Sequence, residues 1–319
     1  MSKDLWIALL GLLGMQSVAR ALEIPLHPDE AKIVEQIIAV EGHSVEVAEV
    51  PGWAKGGAIR RLKELGVETT NLKSWGVRDT KRNAVSLNCV FDASGRVLAL
   101  FGNGPWLPDE SLRALQGMPE LRSIRFDHNG SVNHPRSLLY SGVGFDVLVN
   151  SRLLDVRLTL GMTNAGMEQA AKIKGLKSFG ALHSQVRDGG VKYFEGHPTL
   201  EAFTVSEMGN VSQAALASIA KMPKVEHVGF HEAFVTYDGG FEHLLPMKGR
   251  LKTLDLSMSL INTADLERVR ADHPNAKIIT IPPAEIVKRH RFVASRLARI
   301  ATGAAAEELK KAIAEYEGN

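Results

Sequence analysis

Large apolar residues recur at a regular spacing along the middle of the chain, in short pairs separated by one residue. Alternate residues of a β-strand point to opposite faces, so each pair predicts a short strand with two side chains in a core. Apolar residues at three-residue intervals precede most pairs and predict one buried helix face. The first residues of these pairs are Leu98, Ile124, Val156, Phe179, Phe203, Val228, Leu254 and Ile279. The pattern predicts a strand-and-helix unit that repeats along the chain.

The spacing of these pairs resembles that of the leucine-rich repeat, whose period is about 20–29 residues. Units of about 24–26 residues, from Val97 to Pro282, are similar to the ribonuclease-inhibitor-like branch in the form common among exported bacterial proteins. The resemblance implies an α/β, right-handed solenoid with a curved parallel sheet on the concave side, helices on the convex side and helical caps. The asparagine typical of the motif is present only at Asn103 and Asn129.

Four segments follow from this pattern. Residues 1–21 are predicted to be a signal peptide, because a basic Lys3, an apolar stretch and the small Ala19 and Ala21 follow in that order. Residues 22–96 are predicted to form an N-terminal cap, residues 97–283 the repeats and residues 284–319 a C-terminal helical cap. The apolar stretch is too short for a membrane span, which needs about 20 residues. We expect export to the periplasm or the cell exterior, with no integral span after cleavage; the alternative is a buried or interfacial N-terminal helix.

The patterns at the two ends are typical of caps, which hide the open ends of a solenoid core. The predicted elements are helices Asp29–Val40 and Ala58–Leu65, hairpin strands Ala84–Phe91 and Arg96–Phe101, and C-terminal helices Ala284–Ile300 and Ala304–Tyr316. One unit is longer than the others because of an insertion at residues 129–144. Insertions in repeats often lie on the binding face, and the alternative is a loop without a role.

Side chains that flank the inward pairs point to the opposite face of the sheet, the predicted concave face, where a partner would bind. Adjacent strands lie about 4.8 Å apart, so equivalent residues of successive units are neighbours. The candidate ligand-binding residues are Phe101, Arg125, Asp127, Asp155, Arg157, His227 and His231. The four from Arg125 to Arg157 would form a compact charged cluster. It is either part of a ligand site or a surface ion network that neutralises itself.

Composition and motifs give no sign of catalysis. A formal net charge of +2 over 319 residues does not favour a nucleic-acid partner, which needs a strongly basic face. His231 and Glu232 begin a zinc-protease motif, but Val235 stands where the second histidine must be. Cys89 is the only cysteine and lies in an apolar stretch, so we expect a buried thiol and no structural zinc site. We predict no catalytic residues, no metal and no cofactor.

Three functions remain open, and they differ in the surface that each would use. The first is a non-enzymatic scaffold that binds a protein, or a glycan, through the concave face, by analogy with the fold. The second is a structural component of the cell envelope, held by the basic C-terminal helices. The third is an enzyme with a site in the N-terminal cap, which no motif supports.

Overall fold

A computed structural model of the chain describes residues 22–40, 44–82, 85–129, 140–206 and 210–318. The predicted signal peptide and most of the predicted insertion lie outside these ranges. Within them, eleven strands form one sheet in which neighbours in the chain are neighbours in space. Strands β1 to β4 pair antiparallel, and β4 to β11 pair parallel. The strands are β1 Val45–Val47, β2 Lys73–Asp79, β3 Ser86–Phe91, β4 Val97–Asn103, β5 Ser123–Asp127, β6 Asp155–Thr159, β7 Ser178–Leu182, β8 Ala202–Ser206, β9 His227–His231, β10 Thr253–Asp255 and β11 Lys277–Ile279.

Helices and short 3-10 segments connect the parallel strands and pack on one face of the sheet. The α-helices are α1 Pro28–Val40, α2 Gly52–Glu64, α3 Asp109–Ala114, α4 Asn164–Ala170, α5 Asp188–Val191, α6 Ala215–Ala220, α7 Thr263–Asp272, α8 Pro283–Arg289, α9 Arg291–Ile300 and α10 Ala304–Glu317. The 3-10 segments are Leu115–Gly117, Val143–Leu148, Lys192–Phe194 and Phe241–Met247. This alternation of strand and helix confirms the predicted α/β leucine-rich-repeat solenoid.

The inward residues of successive strands align and form one shared core. Ile124 lies beside Val156, and Val156 lies beside Phe179. Phe179, Phe194 and Phe203 pack with their ring centroids 4.8 to 6.0 Å apart. Because each unit buries its apolar side chains against the next, the units form one continuous core, and stacking between them stabilises the fold.

The first predicted inward pair is wrong by two residues. Leu100, and not Leu98, lies beside Ile124 on the next strand. A β-bulge in β4 leaves Leu98 without a partner on β3. Because of the bulge, Val97 points to the opposite face from the one that simple alternation predicts. Val97 therefore belongs to the main core, although the alternation places it on the concave face.

The residue that directly follows a strand has a left-handed backbone in four of the units. His128, Leu160, His183 and Glu232 have φ between 49 and 66°. Non-glycine residues rarely adopt this conformation, which costs free energy. Because the four residues hold the same place after β5, β6, β7 and β9, the turn belongs to the repeat and overrides the preference of each side chain.

Helices α1 and α2 pack on opposite faces of the sheet. Val34 and Ile37 of α1 are buried in the main core, on the side of the connecting helices. Leu62 of α2 packs instead against Val90 and Ala99, in a separate apolar cluster on the other face. We call this other face, which carries Ala99 and the equivalent residues of later strands, the concave face. The N-terminal region thus covers part of the face on which a partner is predicted to bind.

Helices α8, α9 and α10 form a small core of their own, which includes Leu297 and packs on Leu260. The predicted first helix of this region is broken at His290, whose extended backbone separates α8 from α9. Arg296, predicted on a basic surface, points inward instead. Its Nη2 donates to the main-chain oxygen of Glu232 at 2.5 Å and joins α9 to the turn after β9.

The predicted buried thiol gives a test of the β-sheet at the N-terminal end. Cys89 is 1% exposed, and its burial raises the pKa of the thiol to about 12. Because only the thiolate reacts readily, we expect Cys89 of the folded protein to resist a disulfide reagent at pH 8 and to react fully in guanidinium chloride. The exposed variant Ser94→Cys is the matched control and should react at once. Rapid reaction of native Cys89 would contradict the position of β3 in the core.

Candidate functional site

Helix α2 lies across the concave face and encloses a cleft of about 540 Å³ between itself and strands β3 to β5. Ala54 and Ala58 contribute to the helix wall, and Phe101 and Arg125 contribute to the strand wall. A volume of this size is ordinary for a site that binds a small molecule or one or two side chains. The cleft lies on the concave face, which the repeat pattern predicts to be the binding face.

Asp155 on β6 fixes the position of α2 over the sheet. Its side chain is 1% exposed. Arg61 of α2 donates to Asp155 Oδ1 from Nη2 at 2.8 Å and from Nε at 3.2 Å. The Ser123 hydroxyl donates to Asp155 Oδ2 at 2.7 Å. An unpaired carboxylate would be costly at this depth, so the arginine of the helix is a structural requirement of the buried aspartate.

The electrostatics of Asp155 involve a residue from outside the charged cluster of the strands. Burial opposes ionisation, but the charges of Arg125 and Arg61, and hydrogen bonds from Arg61 and Ser123, hold the pKa of Asp155 below its usual value. The four strand residues therefore do not neutralise one another alone, because Asp155 is paired most closely with a residue from outside the strands.

Arg125 and Arg157 lie side by side, in register, on β5 and β6. The distance from Arg125 Nη1 to Asp155 Oδ2 is 3.7 Å, which is longer than a hydrogen bond. The stem of Arg157 lies over Gly180, where a β-carbon would be 3.4 Å from Arg157 Cγ. Burial lowers the pKa of Arg125, and the charges of Arg157 and Arg61 add to this effect against the opposing charge of Asp155. The two arginines form a partly buried pair of like charges.

Apolar and polar residues complete the cleft around this pair. Phe101 is half-buried and packs with the apolar cluster beneath α2. Trp53 at the start of α2 lines the cleft and is 82% exposed, the largest exposed fraction among the exposed large apolar residues of the described chain. Asp127 is exposed, and Asn88 is buried on the strand side, with its Nδ2 donating to the Ser86 hydroxyl at 3.2 Å.

The two predicted histidines belong to a different part of the face. Strand β9 lies three strands beyond β6, about 14 Å away at about 4.8 Å per strand. His227 is exposed, and its Nδ1 lies 3.1 Å from the Thr253 hydroxyl. His231 is mostly buried, with its Nε2 3.4 Å from Asp255 Oδ2. Burial opposes ionisation of Asp255, but hydrogen bonds from His231 and Ser257 hold the pKa of Asp255 well below its usual value.

The structure thus brings together Phe101, Arg125 and Asp127 in the cleft, with Asp155 and Arg157 beside them, and leaves the two histidines apart. Sequence reasoning missed Arg61 and Trp53, because the repeat pattern begins only after α2 in the chain. The available signal is indirect. An aspartate beside two arginines on one face of the sheet indicates that, if it is buried, it needs a cationic partner in a fixed position.

The described residues give no indication of a metal centre or a membrane span. They contain no group of three or more histidine, cysteine, aspartate or glutamate side chains placed to hold a metal ion. No helix among them is long and apolar enough to cross a membrane.

The stacked units define the chain as a leucine-rich-repeat solenoid. No model of a protein family and no curated protein matches the sequence. Among solved structures, the chain is similar to internalin C2 of Listeria monocytogenes, with 12% identity and a TM-score of 0.40 over 60% of this chain and 74% of that one. It is also similar to a leucine-rich-repeat protein of Leptospira interrogans, with 13% identity and a TM-score of 0.35 over 52% of this chain and 38% of that one. Likenesses at this level carry no argument about a ligand.

The buried carboxylate predicts a pH-dependent loss of stability. Asp155→Asn removes the charge that Arg61 and Arg125 face, and we expect it to lower the free energy of unfolding by roughly 3 kcal/mol at pH 7. Because the pKa of Asp155 is lower in the folded chain than its unfolded value of about 4, this contribution is present above pH 4. It disappears as the pH falls through the folded pKa, so wild type and variant should converge in acid.

Denaturant unfolding at several pH values measures this difference. The control is Glu168→Gln, which breaks the exposed pair with Lys172 on α4 and should change stability by less than about 0.5 kcal/mol. A difference for Asp155→Asn that is equally small, or that does not shrink in acid, would contradict the role given to Asp155.

Proposed function

We propose that this chain is a non-enzymatic binding scaffold that holds a protein, or a glycan, on its concave face. The observation that supports this proposal is the cleft between α2 and strands β3 to β5, which Trp53 and Arg125 line, with Arg157 on the strand adjacent to Arg125. Tryptophan and arginine are the residue types that most often dominate binding energy at protein interfaces. Beyond the cleft, the face continues with accessible polar side chains, among them Thr204 and His227.

We also propose that the protein works outside the cytoplasm, in the periplasm or in the extracellular space. This part of the proposal depends on the signal peptide predicted at residues 1–21. In that setting a scaffold with a single buried thiol would take its stability from stacking, without disulfides.

A second candidate function is attachment to the cell envelope through the C-terminal helices. Phe292 and Ile300 of α9 are 61% and 51% exposed, and Arg299 is exposed beside them. Exposed apolar side chains next to a basic one are typical of an interaction surface. Arg296 does not contribute to this surface, because it is turned toward Glu232.

Affinity capture from the native envelope, with residues 22–319 as bait, tests the two candidates together. We expect the triple variant Arg125→Ala, Arg157→Ala and His227→Ala to lose at least about tenfold of the bound partner, since it removes two guanidinium groups and one imidazole from the concave face. The double variant Phe292→Ser and Ile300→Ser should capture the partner as the wild type does.

Cross-linking and mass spectrometry of the eluate identify a protein partner, and material that survives protease treatment identifies a glycan. Loss of capture in the α9 variant together with full capture in the concave variant would reject the concave scaffold in favour of envelope attachment. Unfolding curves of both variants establish that the folds are retained.

A further inference from the structure

The guanidinium groups of Arg125 and Arg157 have hydrogen-bond donors for which the described residues provide no acceptor. Arg157 Nε is buried and has no acceptor in the part of the chain that the structure describes. Arg125 has an ion pair with Asp155, but at 3.7 Å it is too long for a hydrogen bond. Buried donors nearly always have partners, because a buried donor without one is destabilising. The arginine pair therefore keeps hydrogen-bonding capacity that no described residue uses.

The nearest carboxylate does not hydrogen-bond to Arg125, because Asp155 Oδ2 lies 3.7 Å from Arg125 Nη1 and its closest donors are other groups. Asp155 Oδ1 accepts both hydrogen bonds from Arg61, and Asp155 Oδ2 accepts the Ser123 hydroxyl. Arg125 and Arg157 thus occupy paired positions on adjacent strands, and no acid among the described residues hydrogen-bonds to either guanidinium group. Burial, and after it the charge of Arg157, lower the pKa of Arg125.

The acids around the arginine pair limit the negative charge that a ligand can carry. Arg61 is paired with both Glu64 and Asp155, and Asp127 is exposed beside Arg125, so three arginines are matched by three acids. A second negative charge on the ligand would lie close to the exposed Asp127 and be repelled. A carboxylate fits both this balance and the planar geometry of guanidinium donors.

The walls of the same cleft indicate what the carboxylate is attached to. Phe101, Ala54 and Ala58 present apolar surface between α2 and the strands. Trp53 lines the cleft with most of its ring system open to solvent. Aromatic rings favour flat partners, in stacked or edge-to-face contact. A flat apolar group can therefore lie between the rings while its acidic end reaches the arginines.

We infer that the cleft binds a monocarboxylate that carries a flat apolar group next to the acid. Arg125 and Arg157 donate to the carboxylate, and Phe101 and Trp53 contact the apolar group. The inference rests on the proposed concave-face function and deepens it, because it states which chemical group of the partner enters the cleft. Such a group exists at the C-terminus of a peptide that ends in an aromatic residue and in a free aromatic acid.

Isothermal titration of the purified chain with 2-naphthoate tests the site directly. We expect saturable binding of one equivalent, and binding at least about tenfold weaker for the neutral 2-naphthamide, which lacks the charge. Inorganic phosphate alone should bind more weakly than 2-naphthoate. A short peptide with a C-terminal phenylalanine, compared with its amidated form, distinguishes a chain end from a free acid: a preference for the peptide over 2-naphthoate assigns the site to a protein partner.

Variants locate the binding within the cleft. Arg157→Met should weaken the affinity for 2-naphthoate at least about tenfold without loss of stability, since Arg157 has no hydrogen-bonded partner among the described residues. Trp53→Ala should weaken it by about the amount of one aromatic contact, roughly threefold to tenfold. The matched control is Arg152→Met, which replaces an exposed arginine near the start of the same strand and should leave the affinity unchanged.

The inference is overturned if 2-naphthoate does not bind, if the amide binds as well, or if Arg157→Met and Arg152→Met have equal affinity. The titration needs no natural partner, so its failure would leave the concave scaffold proposal standing. Failure of the envelope capture with a positive titration would reject the scaffold proposal and keep the carboxylate site.

Discussion

A carboxylate buried on the open face of a sheet must find a cation, and this requirement organises the N-terminal half of the molecule. Asp155 meets it with Arg61, which belongs to a helix that precedes the repeats by more than thirty residues. The ion pair holds α2 over the strands from β3 to β6. Leu62 of α2 then packs against Val90 of β3 and Ala99 of β4. The cleft is formed by α2 on one side and by strands β3 to β5 on the other, and the bond from Arg61 to Asp155 helps to hold α2 over the concave face.

The same interaction gives the concave face its chemistry. Arg61 and Ser123 donate to Asp155, while Arg125 lies 3.7 Å from it and Arg157 Nε has no hydrogen-bond acceptor among the described residues. Gly180 on the next strand leaves room for the Arg157 stem to lie flat on the sheet. Stacking of the repeats supplies rigid positions for these groups, and a preorganised set of donors loses little conformational entropy when a ligand binds.

The sequence predicts the repeated part of the fold well because each unit carries a local pattern. The inward residues from Ile124 to Leu254 follow the period of the strands, and the register confirms them. The pattern fails in β4, where apolar residues occupy both faces and a bulge shifts the register. It also predicts α2 as a helix but not its position, since a contact between Arg61 and Asp155, 94 residues apart, leaves no local pattern. The candidate arginines were therefore predicted, and the cleft around them was not.

The most direct test of this account is a double-mutant cycle of Arg61→Met and Asp155→Asn, measured as the free energy of unfolding at pH 7. We predict a coupling energy of about 2 kcal/mol or more, because each variant alone leaves a charge that the folded chain was built to pair. Single effects that add to within about 0.5 kcal/mol would show that the two residues do not hold α2 to the concave face.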